Sequence, residues 1–201
     1  MQPDTLDLYC ERTAPGLWNE PLNALTNPAI LALTALLFLI GLGSGLFHTF
    51  ATRWAVLADV IPIALFILLY MYLALRRLIA APLWGCLLGV AIVLVLTVVM
   101  PLGFGFSVST YGVALAAMLG VGGFLHFGRR HPAGPRILLA AGIFALSLAF
   151  RTADLPLCAV LPHGTHFLWH LLNAVVLYSL VRTMMAHGAP QGNAEEEAAT
   201  A

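Results

Sequence analysis

Two short blocks of the chain hold the residues able to do chemistry. "PHGTHFLWHLLNA", residues 162–174, carries His163, His166 and His170, and "GLGSGLFHTFATRWAVLADVIPI", residues 41–63, carries Ser44, His48 and Asp59. His166 and His170 stand at i,i+4, as do Ser44 and His48, so on a helix each pair shares one face. Two imidazoles side by side on a helix form the arrangement that helical zinc sites use. A third imidazole from a neighbouring helix completes three protein ligands and leaves one position open for water, the composition of a catalytic zinc site.

The elements that must position these residues are membrane helices. The 201 residues are 61% hydrophobic and only 9% charged, with a mean hydropathy of +0.93. A soluble domain is about half apolar and a quarter charged. Apolar stretches of the length a bilayer requires, about 20 helical residues, run over 24–50, 56–75, 83–100, 107–127, 137–150 and 166–186. Short connectors rich in Pro, Gly and Arg separate them, among them "GRRHPAGPR" and "RTADLPLCAVLPHG". The reading is an all-α integral membrane protein with six clear apolar segments: an extramembrane segment over 1–23, a helical bundle over 24–186 and a disordered polar tail over 187–201. No cleavable leader pattern opens the chain, so the N-terminus is expected to be retained. Formal net charge is zero and every basic residue is Arg, which gives no footing for nucleic acid. With alternating segments, Arg76, Arg77, Arg129, Arg130, Arg136 and Arg182 share one side while Arg53 and Arg151 take the other. The positive-inside rule then places the C-terminus in the cytoplasm and His48, Asp59, His166 and His170 together on the far side. An Arg-only chain with short loops points to a bacterial inner membrane.

Spacing alone leaves a second reading open, in which a histidine in a membrane helix simply hydrogen-bonds a neighbouring helix. That reading is preferred for His126 and His131, which adjoin the Arg cluster. For His48, His166 and His170 metal binding is preferred, because ionisable groups inside a membrane are costly and mark function. His163, in the loop before His166, reads as a residue that orients a ligand, with helix capping and metal binding as alternatives. Cys86 reads as a core thiol, and Trp18, Trp54 and Trp84 as interfacial anchors. Tyr70, Tyr72, Trp169 and the "PLGFGF" loop are candidates to line an acyl pocket.

Five ordered blocks, "DLYCER", "NEPLNALTN", "GSGLFHTFATRWAVLADVIPI", "FRTADLPLC" and "GTHFLWHLLNA", resemble the alkaline ceramidase family, within the superfamily of seven-helix membrane hydrolases that also includes the adiponectin and progestin receptors. The resemblance implies a seven-transmembrane bundle and an intramembrane zinc amidase, with His48, His166 and His170 as zinc ligands and Ser44 and Asp59 beside the water position as catalytic residues. The substrate it implies is ceramide or a related N-acyl lipid taken from the membrane and cleaved to a fatty acid and a long-chain amine. In that chemistry Asp59 orients the water, accepts its proton and returns it to the leaving amine, and Ser44 donates a hydrogen bond to the oxyanion. The residues themselves also allow Ser44 to be a small residue that permits close helix packing, and Asp59 to be a carboxylate that orients a ligand histidine.

The resemblance further implies a calcium site at the N-terminus. Glu11, Glu20 and Asn23 match its pattern, whereas Leu8 stands where a further carboxylate is expected and Asp7 is one place off. These oxygen donors suit Ca²⁺, or alternatively cap the first helix. Between Glu20 and Ser44 the chain is short of the family plan by about 20 residues, one membrane span, so the first hairpin is shortened. Six crossings put Cys10 opposite Cys158; the seven of the family put both on one side, where they would be able to form a disulfide. The alternative to an amidase is a receptor-like or lipid-binding membrane protein with a structural zinc and no turnover. A transporter with a histidine proton relay is a weaker third, since the sequence shows neither an internal repeat nor a broken helix. Oligomeric state is not legible in the sequence.

Overall fold

The computed structural model describes residues 27–104 and 106–188. Asp7, Cys10, Glu11, Trp18, Glu20 and Asn23 lie outside them, and with those residues the calcium site and the Cys10–Cys158 pair; of the shortened stretch between Glu20 and Ser44, the described part from Pro28 onward belongs to one helix. Six helices follow in order: α1 Pro28–Phe50, α2 Arg53–Leu73, α3 Leu83–Phe104, α4 Phe106–Gly123, α5 Ala133–Leu157 and α6 His166–His187. All six are long and apolar enough to cross a membrane. In lipid every backbone N–H and C=O must be satisfied within the protein, and a helix does this within one segment.

The described helices close into a ring, each packing on the next and α6 returning to α1. The ends of the helices are built from local chemistry. Asn27 Oδ1 accepts the N–H of Ala29 at 3.2 Å, with Pro28 at the first helical position. α1 stops at Ala51, which takes a left-handed φ of 48° and donates its N–H to Phe47 O at 2.8 Å, so the chain turns into α2 after two residues. α2 and α4 both finish in a π-turn, Ala74–Leu78 and Phe124–Gly128. Each is followed by a left-handed non-glycine residue, Ala80 at φ 59° and Arg130 at φ 52°. Arg77 ties three chain segments together at that end, donating to Asn27 Oδ1 at 3.5 Å and to Gly188 O at 3.1 Å.

The boundaries differ from the sequence reading where polar residues end a hydrophobic run but not the helix. The stretch Arg151–Leu157, read as connector, is the last part of α5, with Pro156 tolerated one residue from the helix end because only one interior hydrogen bond is lost there. Ala133–Arg136 likewise begins α5. Cys86 is fully buried, as a core thiol should be, and Trp54 and Trp84 are exposed. His131 accepts the N–H of Ala133 on its Nδ1 at 3.2 Å, capping the start of α5, and its ring meets that of His187 of α6 edge-on.

Candidate metal centre

His48 stands in the last turn of α1, and His166 and His170 in the first two turns of α6. The closed ring brings α1 against α6, and the three imidazoles meet. One nitrogen from each lies within 4.8 Å of the others, with His48 Nε2 and His170 Nε2 3.0 Å apart. Ring centroids are separated by 4.7 to 5.3 Å. Zinc–imidazole bonds of about 2.0–2.1 Å at tetrahedral angles hold their nitrogens roughly 3.3 Å apart, so small side-chain rotations bring this set to ligating distance. The three histidines are therefore close enough to hold a metal ion.

The His170 ring and the backbone that carries His166 each have a specific neighbour. Ser44, one turn before His48, lies with its Oγ 3.5 Å from His170 Nδ1, the nitrogen opposite the one facing His48. A ring that ligates through Nε2 carries its proton on Nδ1, and Ser44 Oγ is placed to accept it. The first turn of α6 is held by Asp154, whose Oδ1 accepts the N–H of Thr165 at 2.6 Å and of His166 at 2.8 Å. Thr165 Oγ1 donates to Phe150 O at 2.6 Å, pinning the same turn to α5. Gly164 completes the turn: its φ is +60°, and a Cβ there would meet Asp154 Oδ1. Deeper in the bundle, Ser147, fully buried, has Trp169 O at 3.1 Å and Asn173 Oδ1 at 3.0 Å as acceptors within reach of its single O–H.

Asp59 reaches the site through close helix packing. A Cβ on Gly43 would fall onto the Ala58 carbonyl oxygen, whereas one on Gly45 would meet nothing within 4 Å. The small residue that α1 and α2 require for contact is thus Gly43, not Ser44. That contact puts Asp59 on the same cavity wall as Ser44 and His48.

The cavity has a volume of about 700 Å³ and is lined by α1, α2, α4, α5 and α6. His48 and His166 stand at one end, Ala74 and Leu180 toward the other. Along α6 from His170 to Leu180, or along α2 from Asp59 to Ala74, the helical rise gives a depth of about 15–22 Å. The far portion is apolar, with Phe66, Val121, Ile137 and Leu180 on its walls. Tyr70 and Trp169 line it as expected, whereas Tyr72 is not among the lining residues and the side chains of 102–109, within "PLGFGF", lie outside the described set.

His163 is exposed in the loop, and the capping and orienting work expected of it falls to Asp154. The sequence reading also passed over Arg151, which lines the cavity with its Cζ 5.0 Å from the ring centroids of both Tyr111 and Trp169. Both omissions have one cause. "RTADLPL" looks like a loop because of Pro156, and its available signal was that Arg151 and Asp154, three residues apart, continue the turn-by-turn period of α5.

Comparison of the chain with protein-family models, with curated proteins and with solved structures finds no match in any of the three.

Proposed function

We propose that the protein is an intramembrane zinc-dependent amidase that hydrolyses the N-acyl amide bond of ceramide or a related membrane lipid, releasing a fatty acid and a long-chain amine. The observation that carries this reading is the convergence of His48, His166 and His170, from helices at opposite ends of the described chain, at one end of a deep apolar cavity. The resemblance of the five sequence blocks to alkaline ceramidases supports the same chemistry. The cavity depth of about 15–22 Å at least equals the half-thickness of a bilayer core of about 30 Å, the depth one lipid chain fills.

Zinc held by three imidazoles supplies a Lewis acid and a water of lowered pKa. The remaining roles belong to the chain. Asp59 orients the attacking water, accepts its proton and delivers it to the departing amine nitrogen. Ser44 serves twice, since a hydroxyl both accepts and donates: its oxygen accepts from His170 Nδ1, and its hydrogen points to the developing oxyanion. Asp154 and Thr165 are positioning residues that keep His166 in register. Aliphatic walls beyond Trp169 hold the acyl chain and exclude water. By the distribution of arginines, the histidine end faces the extracytoplasmic side and the C-terminus the cytoplasm.

The test is release of fatty acid from a panel of N-acyl lipids in liposomes, with zinc measured on the same samples. Turnover that tracks zinc content is the expected result. A protein that holds a full zinc and a lipid yet cleaves no member of the panel is a receptor or lipid carrier instead.

A further inference from the structure

Arg151 is the single arginine or lysine in the cavity lining among the described residues. An arginine within a membrane-spanning helix is costly unless it serves something. Here the guanidinium rests on two aromatic faces: its Cζ is 5.0 Å from each centroid, and the Tyr111 and Trp169 rings themselves meet edge-on at 4.9 Å. Its Nε is buried and has no hydrogen-bond partner among the described residues. Stacking fixes the plane of the fork without using its N–H donors, which are the groups that match a carboxylate in bidentate fashion. A cation held by rings, with donors to spare, is built to receive an anion.

Its level in the cavity says which part of a ligand that anion belongs to. Trp169, under the guanidinium, is next to His170, and Arg151 stands one turn before Asp154, which accepts the N–H of His166, on the same cavity lining as both histidines. Arg151 therefore stands beside the reacting centre and not at the apolar far end. In an N-acyl α-amino acid a single carbon separates the amide nitrogen from a carboxylate, so amide and anion must be bound at adjacent places.

Resting on the amidase reading, we propose that Arg151 selects N-acyl lipids whose head group carries a carboxylate, that is, N-acyl amino acids, over those with neutral head groups. The guanidinium binds the head-group carboxylate while the acyl chain lies along the apolar wall.

The experiment compares N-palmitoylglycine, its neutral counterpart N-palmitoylethanolamine, and palmitate. Binding is read by displacement of a fluorescent fatty-acyl probe from metal-stripped protein, so that neither hydrolysis nor a metal–carboxylate bond contributes. Arg151→Gln should weaken N-palmitoylglycine about tenfold to hundredfold, the usual weight of a hydrogen bond to a charged group, and leave N-palmitoylethanolamine within about twofold. Arg151→Lys, which keeps the charge and loses the fork, should fall between. Equal affinity of wild type for the glycine and ethanolamine lipids overturns the proposal. So does an equal loss for both in Arg151→Gln, which marks a packing role, or a dependence on Arg151 confined to palmitate, which marks a free fatty acid as the ligand. Turnover on zinc-loaded protein is scored separately: anion preference without cleavage removes the amidase reading and leaves carboxylate selection standing.

Discussion

His48 and His170, 122 positions apart in the chain, bring their Nε2 atoms to 3.0 Å across the contact between α1 and α6. Neutral imidazoles at this distance share one proton in an N–H···N hydrogen bond, and a cation bound to both nitrogens takes the place of that proton. With His166 completing the set, His170→Ala should strip most of the zinc from the purified protein, because two ligands hold the ion far more weakly than three. His126→Ala, at the other end of the bundle, should leave zinc content unchanged. Metal analysis of both variants decides it, and equal content would show that another ligand set is in use.

Asp59 lies on the cavity wall with Ser44 and His48 but outside the three-histidine group. Asp59→Asn is accordingly expected to keep its zinc and to slow amide hydrolysis by about 10²–10⁴, the weight of a general acid–base group. Loss of zinc in this variant would make Asp59 a ligand and require the proton path to be redrawn.

Asp154 acts at one remove from the site. Asp154→Ala leaves the N–H groups of Thr165 and His166 without their acceptor and should lower the melting temperature, as loss of an N-terminal cap does. Zinc affinity should fall roughly tenfold to hundredfold, as when a group supporting a ligand is removed. Thermal unfolding and a zinc competition titration report the two effects separately. Unchanged zinc affinity would mean that α6 holds its register without the cap.

Gly43→Ala forces the added methyl onto the Ala58 backbone. Overpacking of this kind costs about 1–3 kcal/mol, and moving α2 away also withdraws Asp59 from the histidines. Lower thermal stability together with reduced turnover is expected, while Gly45→Ala, with nothing within 4 Å of its added Cβ and the better helix former in place, should lower neither.

Ala80→Gly tests the turn after α2. Ala80 holds φ at 59°, a left-handed conformation that costs an L-residue about 1–2 kcal/mol. Glycine there should raise the melting temperature by about 2–4 °C for each kcal/mol relieved, with zinc content unchanged. A lower melting temperature would show that the Ala80 methyl makes a contact worth more than the strain.

The sequence by itself determined the six apolar helices and the candidate ligands. Hydrophobic length reports directly on the bilayer, and the i,i+4 spacings of Ser44 with His48 and of His166 with His170 fix a shared face whatever the rest of the chain does. It did not determine that the helix before the last one continues through "RTADLPL", because Pro156 and three polar residues imitate a loop while the backbone bonds of a helix end tolerate them. Nor could it tell which of Gly43, Ser44 and Gly45 makes the close contact, since that depends on which atom of α2 lies opposite. Tertiary structure alone decided the rest: closing the ring sets α1 on α6, so that one histidine meets two others more than a hundred residues away. It also turned Arg151 from an end-of-segment charge into a guanidinium stacked on Tyr111 and Trp169 inside the cavity. Local spacing is a property of one helix, whereas which faces meet depends on how all six pack.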